Sequence, residues 1–383
     1  MHMNGKDSTD AIIAYHPDWV IDKKIPHFCV GELAPNERTV DSKISLAYRQ
    51  LDERIRKAGL YQTNYNFYIR EIIKFAFFWV GAIYLILRFP NFYGVLGSAF
   101  LCATLWWQAA FVAHDAGHSG ITHDAWTDMN HNVHHIVTNH PEHDPDIQHM
   151  PFLAVTAKLM NNLYSSYYKR VMEFDAVAKV MIPIQHYTFY VLLAFGRFNL
   201  YANSLAYVFS KDRVPHRTLE LCGIAVYWTW YLALLSTLRE TPGLIVMHIL
   251  VSHMLTVILH VQITLSHFGM PTDVVEDETF AEMALRTSMD VDCPRWFDWF
   301  HGGLQFQVEH HMYPRVPRHN LRKIRPWIAQ FAKDHGLTFH NYDFIHGNGI
   351  VLKCLHHVAM EVKESLKAVC EKVAEEDKKK KLM

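Results

Sequence analysis

The chain has 383 residues, 50% of them hydrophobic, and its 37 lysines and arginines nearly balance 38 acidic residues. This length permits a large buried core, and the near-neutral charge gives no reason to expect a nucleic-acid partner. The six cysteines are widely spaced and form no CxxC pair. They indicate reduced thiols and argue against a disulfide framework or a thiolate metal site.

Four apolar stretches predict transmembrane helices, at about residues 72–88, 92–113, 219–238 and 242–265. Two of them, taken as residues 89–113 and 221–238, hold 25 and 18 positions without a charge. These lengths are close to the ~20 residues that cross a bilayer as a helix. The first stretch is shorter, but Lys74 can extend its side chain to the headgroups.

The placement of lysine and arginine predicts which side of the membrane each loop faces. The turns near Arg88 and Arg239 carry one arginine each, whereas the N-terminal arm, residues 114–218 and the C-terminal region are rich in both residue types. These three segments, and therefore both termini, are predicted to be cytosolic. Residues 180–209 are interpreted as an interfacial or cytosol-facing helix pair, because a fifth crossing would separate the histidine motifs described next.

Three histidine motifs and one further histidine predict a metal site. They are His114-Asp-Ala-Gly-His118, His131-Asn-Val-His134-His135, Gln307-Val-Glu-His310-His311, and His267 at the end of the last predicted span. Residues three or four apart share a helix face, so each motif can aim its imidazoles at one point. Neutral imidazole suits iron, zinc, copper and nickel, and eight rings are too many for one ion, so the set predicts two metals.

The histidines outside these motifs are interpreted as surface residues or hydrogen-bonded core residues. They include His16, His186, His216, His248, His253, His260, His340 and His356.

The motifs carry a resemblance to a known family. With the four predicted spans, they resemble the membrane fatty acyl desaturases, and the glutamine of the third motif resembles the front-end branch. The resemblance covers about residues 36–345, and residues 135–151 and 289–322 are similar to fungal-type sphingolipid delta-8 desaturases. It implies an all-α integral membrane fold, with four transmembrane helices and a cytosolic helical cap that holds a histidine-rich di-metal site.

The resemblance also implies the ligands and the chemistry. The di-iron ligands would be His114, His118, His131, His134, His135, His267, His310 and His311. Iron is expected because hydrogen removal from an unactivated methylene needs an oxidant made from O2, which redox-inert zinc cannot supply. Two electrons would arrive from NAD(P)H through a reductase and cytochrome b5.

Five polar residues are expected around these ligands. Gln307 stands where other branches of the family have another histidine, and its amide can ligate weakly or hold a water. Asp115, Asp144, Asp146 and Glu309 are the nearest candidates to orient the imidazole N–H groups. Ordinary loop solvation explains any one of these carboxylates as well.

The two ends of the chain differ from the predicted desaturase domain at residues 36–350. Residues 5–17 resemble the tail of a cytochrome b5 domain around its second haem histidine, here His16, and the upstream His-Pro-Gly-Gly half is missing. Residues 1–35 are therefore interpreted as a remnant of that domain, and no haem is expected, because a b5 haem needs two axial histidines. The chain is either a truncated form or takes electrons from a separate cytochrome b5.

Residues 351–383 predict an amphipathic helix with a lysine-rich tail. The lysines third and fourth from the C-terminus resemble a signal that returns membrane proteins to the endoplasmic reticulum, although most such runs are solvated tails. The expected location is therefore the endoplasmic reticulum membrane, with a cytosolic active site.

The substrate implied by the resemblance is a ceramide or another acyl lipid. The expected product carries a double bond at the delta-8 position of the sphingoid long-chain base. A front-end delta-6 or delta-5 polyunsaturated acyl desaturase and a di-iron lipid hydroxylase remain alternatives. A lipid-binding membrane scaffold is the non-enzymatic alternative, and it predicts no bound iron.

Overall fold

The computed structural model describes residues 7–34, 42–121, 129–211, 214 and 216–382, without the side chains of residues 129–131, 377, 378, 381 and 382. Helices dominate these residues, in agreement with the predicted all-α fold. The α-helices are α1 (Thr9–Tyr15), α2 (Asp18–Lys23), α3 (Lys43–Lys57), α4 (Tyr65–Arg88), α5 (Phe92–Gly117), α6 (Met129–Ile136), α7 (Ala176–Met181), α8 (Gln185–Ala194), α9 (Gly196–Val208), α10 (Arg217–Ser236), α11 (Pro242–Met254), α12 (Val257–Leu265), α13 (Phe280–Thr287), α14 (Asp298–His301), α15 (Gln307–Met312), α16 (Arg318–Asp334) and α17 (Phe344–Leu382).

Short 3-10 helices and strands join some of these helices. The 3-10 helices are Ile25–Phe28, Pro145–Ile147, Ala157–Asn161, Ile182–Ile184 and Arg295–Phe297. Strands β1 (Tyr164–Ser165) and β2 (Arg170–Val171) pair antiparallel, whereas β3 (Asp290–Asp292) and β4 (Asn341–Asp343) pair parallel.

The chain divides into two units, and the first comprises residues 1–64, 113–188 and 263–383. Its main core brings apolar faces of α3, α13, α15 and α16 together around Tyr48, Leu285 and Ile324. The Tyr48 hydroxyl donates to the Met312 carbonyl at 2.7 Å, and the Tyr313 hydroxyl donates to the Tyr48 carbonyl at 3.1 Å. These bonds hold the short helix α15 inside the core.

The long C-terminal helix α17 packs against other helices within the first unit. Its Val358 and Val362 are buried with Leu159, Ala178 and Ile182. The Gln185 amide donates to the Leu355 carbonyl at 2.9 Å. The apolar face that the sequence places along residues 351–366 therefore has a packing partner.

The second unit comprises residues 65–112 and 189–262. Its core contains Val95, Trp106, Tyr231 and Leu234, from α5 and α10. Inside it, a ring nitrogen of His248 lies 3.2 Å from the Tyr231 hydroxyl. Another lies 3.3 Å from Ser98 Oγ.

His253 of the same unit is also buried, and one of its ring nitrogens lies 3.2 Å from the Tyr201 hydroxyl. The interpretation of His248 and His253 as hydrogen-bonded core residues is confirmed. Pairing of this kind is what a polar side chain inside an apolar helix bundle requires.

Among the described residues, four helical segments are long and apolar enough to cross a membrane, namely Phe92–Gly117, Ala176–Ala194, Arg217–Ser236 and Pro242–Leu265. Three of them coincide with predicted spans. The fourth, Ala176–Ala194, overlaps the region predicted to be interfacial. The interfacial placement of that region stays a prediction. The predicted first span lies within α4, which is not one of these four segments. Every stretch of 18 residues in α4 contains three of the charged residues Arg70, Glu71, Lys74 and Arg88.

Gly303 occupies a backbone conformation that other residues rarely adopt, with φ of +101°, and a Cβ there would lie 2.8 Å from Arg318 Cβ. Gly303→Ala is therefore expected to lower the free energy of unfolding by about 1–3 kcal/mol. The measurement is the thermal unfolding midpoint in detergent. Gly349→Ala is the matched control, because Gly349 lies in α17 with open space around its Cβ position. An equal loss in both variants would contradict this explanation.

Candidate metal centre

The first histidine motif lies at the C-terminal end of α5. His114 and His118 are one helical turn apart, so their rings lie together, with centroids separated by 4.8 Å. The helix ends at Gly117, and Ser119 follows in the left-handed region with φ of 56°. The predicted sharing of one face by these two residues is therefore observed.

The second and third motifs lie on the short helices α6 and α15. Each contributes two consecutive histidines, His134 with His135 and His310 with His311. Consecutive residues on a helix differ in direction by about 100°, so the two rings of each pair face different points. The backbone of His131 belongs to α6, but its side chain lies outside the described residues.

Seven imidazoles form two groups, each with its ligand atoms within 4.8 Å of one another. The four-histidine group contains His114, His118, His135 and His310. The three-histidine group contains His134, His267 and His311. All seven belong to the first unit, although they come from four separate parts of the sequence.

The two groups are neighbours. The ring of His135, from the four-histidine group, stacks on the ring of His311, from the three-histidine group, with centroids 4.0 Å apart and planes 19° apart. All-imidazole donor sets suit iron, zinc, copper and nickel. The residues present therefore fit two adjacent metal ions, which is what the resemblance implied.

In the three-histidine group, each Nδ1 atom has a hydrogen-bond partner. The Nδ1 of His134 lies 2.9 Å from Asp144 Oδ2, and that of His267 lies 3.2 Å from the Thr287 carbonyl. The Nδ1 of His311 lies 3.1 Å from Thr138 Oγ1. Because the Thr138 hydroxyl donates to the His134 carbonyl at 2.9 Å, its oxygen accepts from His311.

This pattern orients the three rings and directs their Nε2 atoms toward a metal. Sequence reasoning named Asp144 but missed Thr138 and Thr287. Thr138 lies four residues after His134, and that helical spacing was the available signal. Thr287 contributes only a backbone carbonyl, which carries no residue-type signal.

Asp144 is buried and fixes the loop as well as the ring. It accepts from the backbone N–H of Asn139 at 2.7 Å and of Asp146 at 2.8 Å. Burial opposes a charged His134, but the carboxylates of Asp144 and Asp146 outweigh it and raise the pKa of His134 to about 9. The carboxylates therefore make this imidazole more basic and a stronger ligand.

The other predicted surrounding residues have different contacts. Asp115 is buried, and one of its oxygens lies 3.5 Å from the guanidinium of Arg318. Gln307 lines a small cavity together with His114 and His310 of the four-histidine group. The carboxyl group of Glu309 is fully buried, and the buried carboxyl of Asp290 lies near enough to act on it electrostatically.

Two neighbouring buried carboxyls cannot both ionise easily. Burial first, and then the charge of Asp290, hold the pKa of Glu309 well above its ordinary value of 4.5. The folded protein therefore keeps a proton that the unfolded chain releases, and stability falls as the pH rises above that ordinary value.

Glu309→Gln is expected to weaken this pH dependence, because the glutamine amide stays neutral at every pH and takes up no proton on folding. Thermal unfolding of both proteins at about pH 5 and about pH 8 checks it. An equal loss of stability at the higher pH in both proteins would contradict the assignment.

The model of the family described as "Fatty acid desaturase" matches residues 90–343. The Delta 8-(E)-sphingolipid desaturase of Lachancea kluyveri is 43% identical over 353 residues, which cover 84% of this chain and 61% of that protein. The protein of the same name from Emericella nidulans is also 43% identical, with 84% and 63% covered.

A plant relative is similar over more of its own length. The Delta(8)-fatty-acid desaturase 1 of Arabidopsis thaliana is 32% identical, and the match covers 95% of this chain and 85% of that protein. No solved structure matches the chain.

The chain spans less than two thirds of the length of the two fungal relatives. The family match nevertheless includes all seven described imidazoles of the two groups and about two thirds of the chain. This chain belongs to the fatty acid desaturase family.

Proposed function

We propose that this protein is an O2-dependent desaturase that introduces a double bond at the delta-8 position of the sphingoid long-chain base of ceramides. The observation that carries the proposal is the pair of adjacent all-imidazole groups, which fits two metal ions. The substrate is taken from the fungal relatives, whose names specify a sphingolipid and the E isomer.

We assign iron to both positions, with His131 as the eighth ligand beside the seven described imidazoles. When bound, the iron pair supplies the reduction of O2 that hydrogen removal from adjacent CH2 groups requires. Each turnover takes two hydrogens from the lipid and two electrons and two protons from outside, and releases two waters.

The protein residues prepare the site for this chemistry. Asp144, Thr138 and the Thr287 carbonyl hold the rings of the three-histidine group in one orientation. Most of the imidazoles, including His118, are buried. This burial keeps bulk water away from the metal positions and so limits side reactions. The selection of one methylene among many identical ones requires a channel that fixes the chain beside the metals.

The electron donors in this proposal are cytochrome b5 and an NAD(P)H-dependent cytochrome b5 reductase. The location is the endoplasmic reticulum membrane, with both termini and the metal centre on the cytosolic side. The apolar helices and the uneven distribution of lysine and arginine support this topology.

An acyl-lipid substrate is the second candidate. The relatives from Arabidopsis thaliana and Borago officinalis carry the name Delta(8)-fatty-acid desaturase, at 32% and 34% identity. The higher identity of the fungal sphingolipid enzymes favours the long-chain base.

Expression in a yeast that lacks delta-8 desaturation, followed by lipid analysis, tests the proposal. We expect ceramides with a delta-8 unsaturated long-chain base, and no such product from a His310→Ala variant. New delta-6 or delta-5 polyunsaturated acyl chains would overturn the substrate but keep the mechanism. A hydroxylated base would indicate the related hydroxylase, and a purified protein without iron would favour a scaffold.

A further inference from the structure

Helix α1 precedes the segment that matches the family model, yet it packs beside the metal centre. The ring of Tyr15, its last residue, makes an edge contact with the ring of His135, with centroids 6.2 Å apart and planes 80° apart. On another side, the Tyr15 ring makes an edge contact with Phe280, at 6.5 Å. Tyr15 therefore forms part of the wall behind a member of the four-histidine group.

The position of α1 is fixed by polar contacts. The guanidinium of Arg315 is buried and donates to the carbonyls of Ala14 at 3.0 Å and Ile13 at 3.4 Å. Arg49 pairs with the buried Asp10 at 2.6 Å. A helix held by two such contacts can in turn hold the Tyr15 ring against His135.

The hydroxyl of Tyr15 is the unusual feature of this contact. It is buried, and no residue that the structure describes hydrogen-bonds it. A buried hydroxyl without a partner lowers stability, and phenylalanine would fill the same space without that loss. The presence of tyrosine therefore indicates an acceptor other than the residues that the structure describes.

We propose that Tyr15 is a positioning residue of the four-histidine group. Its ring fixes the orientation of His135, and its hydroxyl donates to a water molecule that accompanies the metal ion. This inference rests on the metal centre of the proposed function. If it is correct, helix α1, which precedes the residues matched by the family model, contributes to the metal site.

The test uses the full chain loaded with Co2+ alone, whose visible absorption reports ligand geometry. The variants are Tyr15→Phe, which removes only the hydroxyl, and Tyr15→Leu, which also removes the ring. Tyr164→Phe is the matched control, because Tyr164 is exposed and lies in β1. Measured quantities are the Co2+ spectrum, the rate of metal release to a chelator and the thermal unfolding midpoint.

We expect both Tyr15 variants to shift the Co2+ spectrum and to release the metal about tenfold faster, as outer-shell changes typically do. The Tyr164→Phe protein should match the wild type. A lower unfolding midpoint with an unchanged spectrum and release rate would overturn the inference and leave the proposed function intact. A wild-type chain that binds neither Co2+ nor iron would overturn both.

Discussion

Replacing His310 with alanine is expected to abolish desaturation and to lower metal affinity by at least about a hundredfold. The ring of His310 lies 4.5–4.6 Å, between centroids, from those of His114, His118 and His135. It is therefore central to the four-histidine group, and its loss removes a donor from a buried site that has little access to replacement water.

Iron per chain and unsaturated lipid product are the measurements for His310→Ala. His357→Ala is the control, because His357 is exposed on α17, where its Nε2 lies 3.1 Å from a carboxylate oxygen of Glu361. A His310→Ala protein with full iron content and full product yield would contradict the assignment of this residue as a ligand.

Replacing Asp144 with asparagine is expected to lower metal affinity by about 10- to 100-fold, while leaving the protein folded. Asparagine keeps an oxygen that can accept from the backbone, but it loses the charge that makes the ring of His134 more basic. Competition with a chelator, using Co2+ or Fe2+, measures the affinity directly.

Asp175→Asn is the matched control for this change. Asp175 caps α7 by accepting from the Ala178 N–H at 2.8 Å, so the substitution is the same chemically but involves no histidine. Unchanged affinity in Asp144→Asn would mean that the carboxylate serves only to hold its loop.

The spacing of residues along single helices was enough to predict a large part of this protein. Apolar runs such as residues 92–113 and 242–265 predicted helices that the structure contains. The four-residue spacing of His114 and His118 predicted rings on one face. These properties depend on the local geometry of one helix, which the sequence carries directly.

The sequence alone therefore determined the family and the helical class, and it named the histidines that are proposed as metal ligands. Tertiary structure decided how those imidazoles divide, because His134 and His135 turn toward different groups, and each group also takes one histidine from the distant third motif, His311 and His310 respectively. It also placed Thr138, the Thr287 carbonyl and Tyr15 beside the rings. The contacts of the Thr287 carbonyl and of Tyr15 arise from the packing of distant segments, which residue type and spacing do not encode locally.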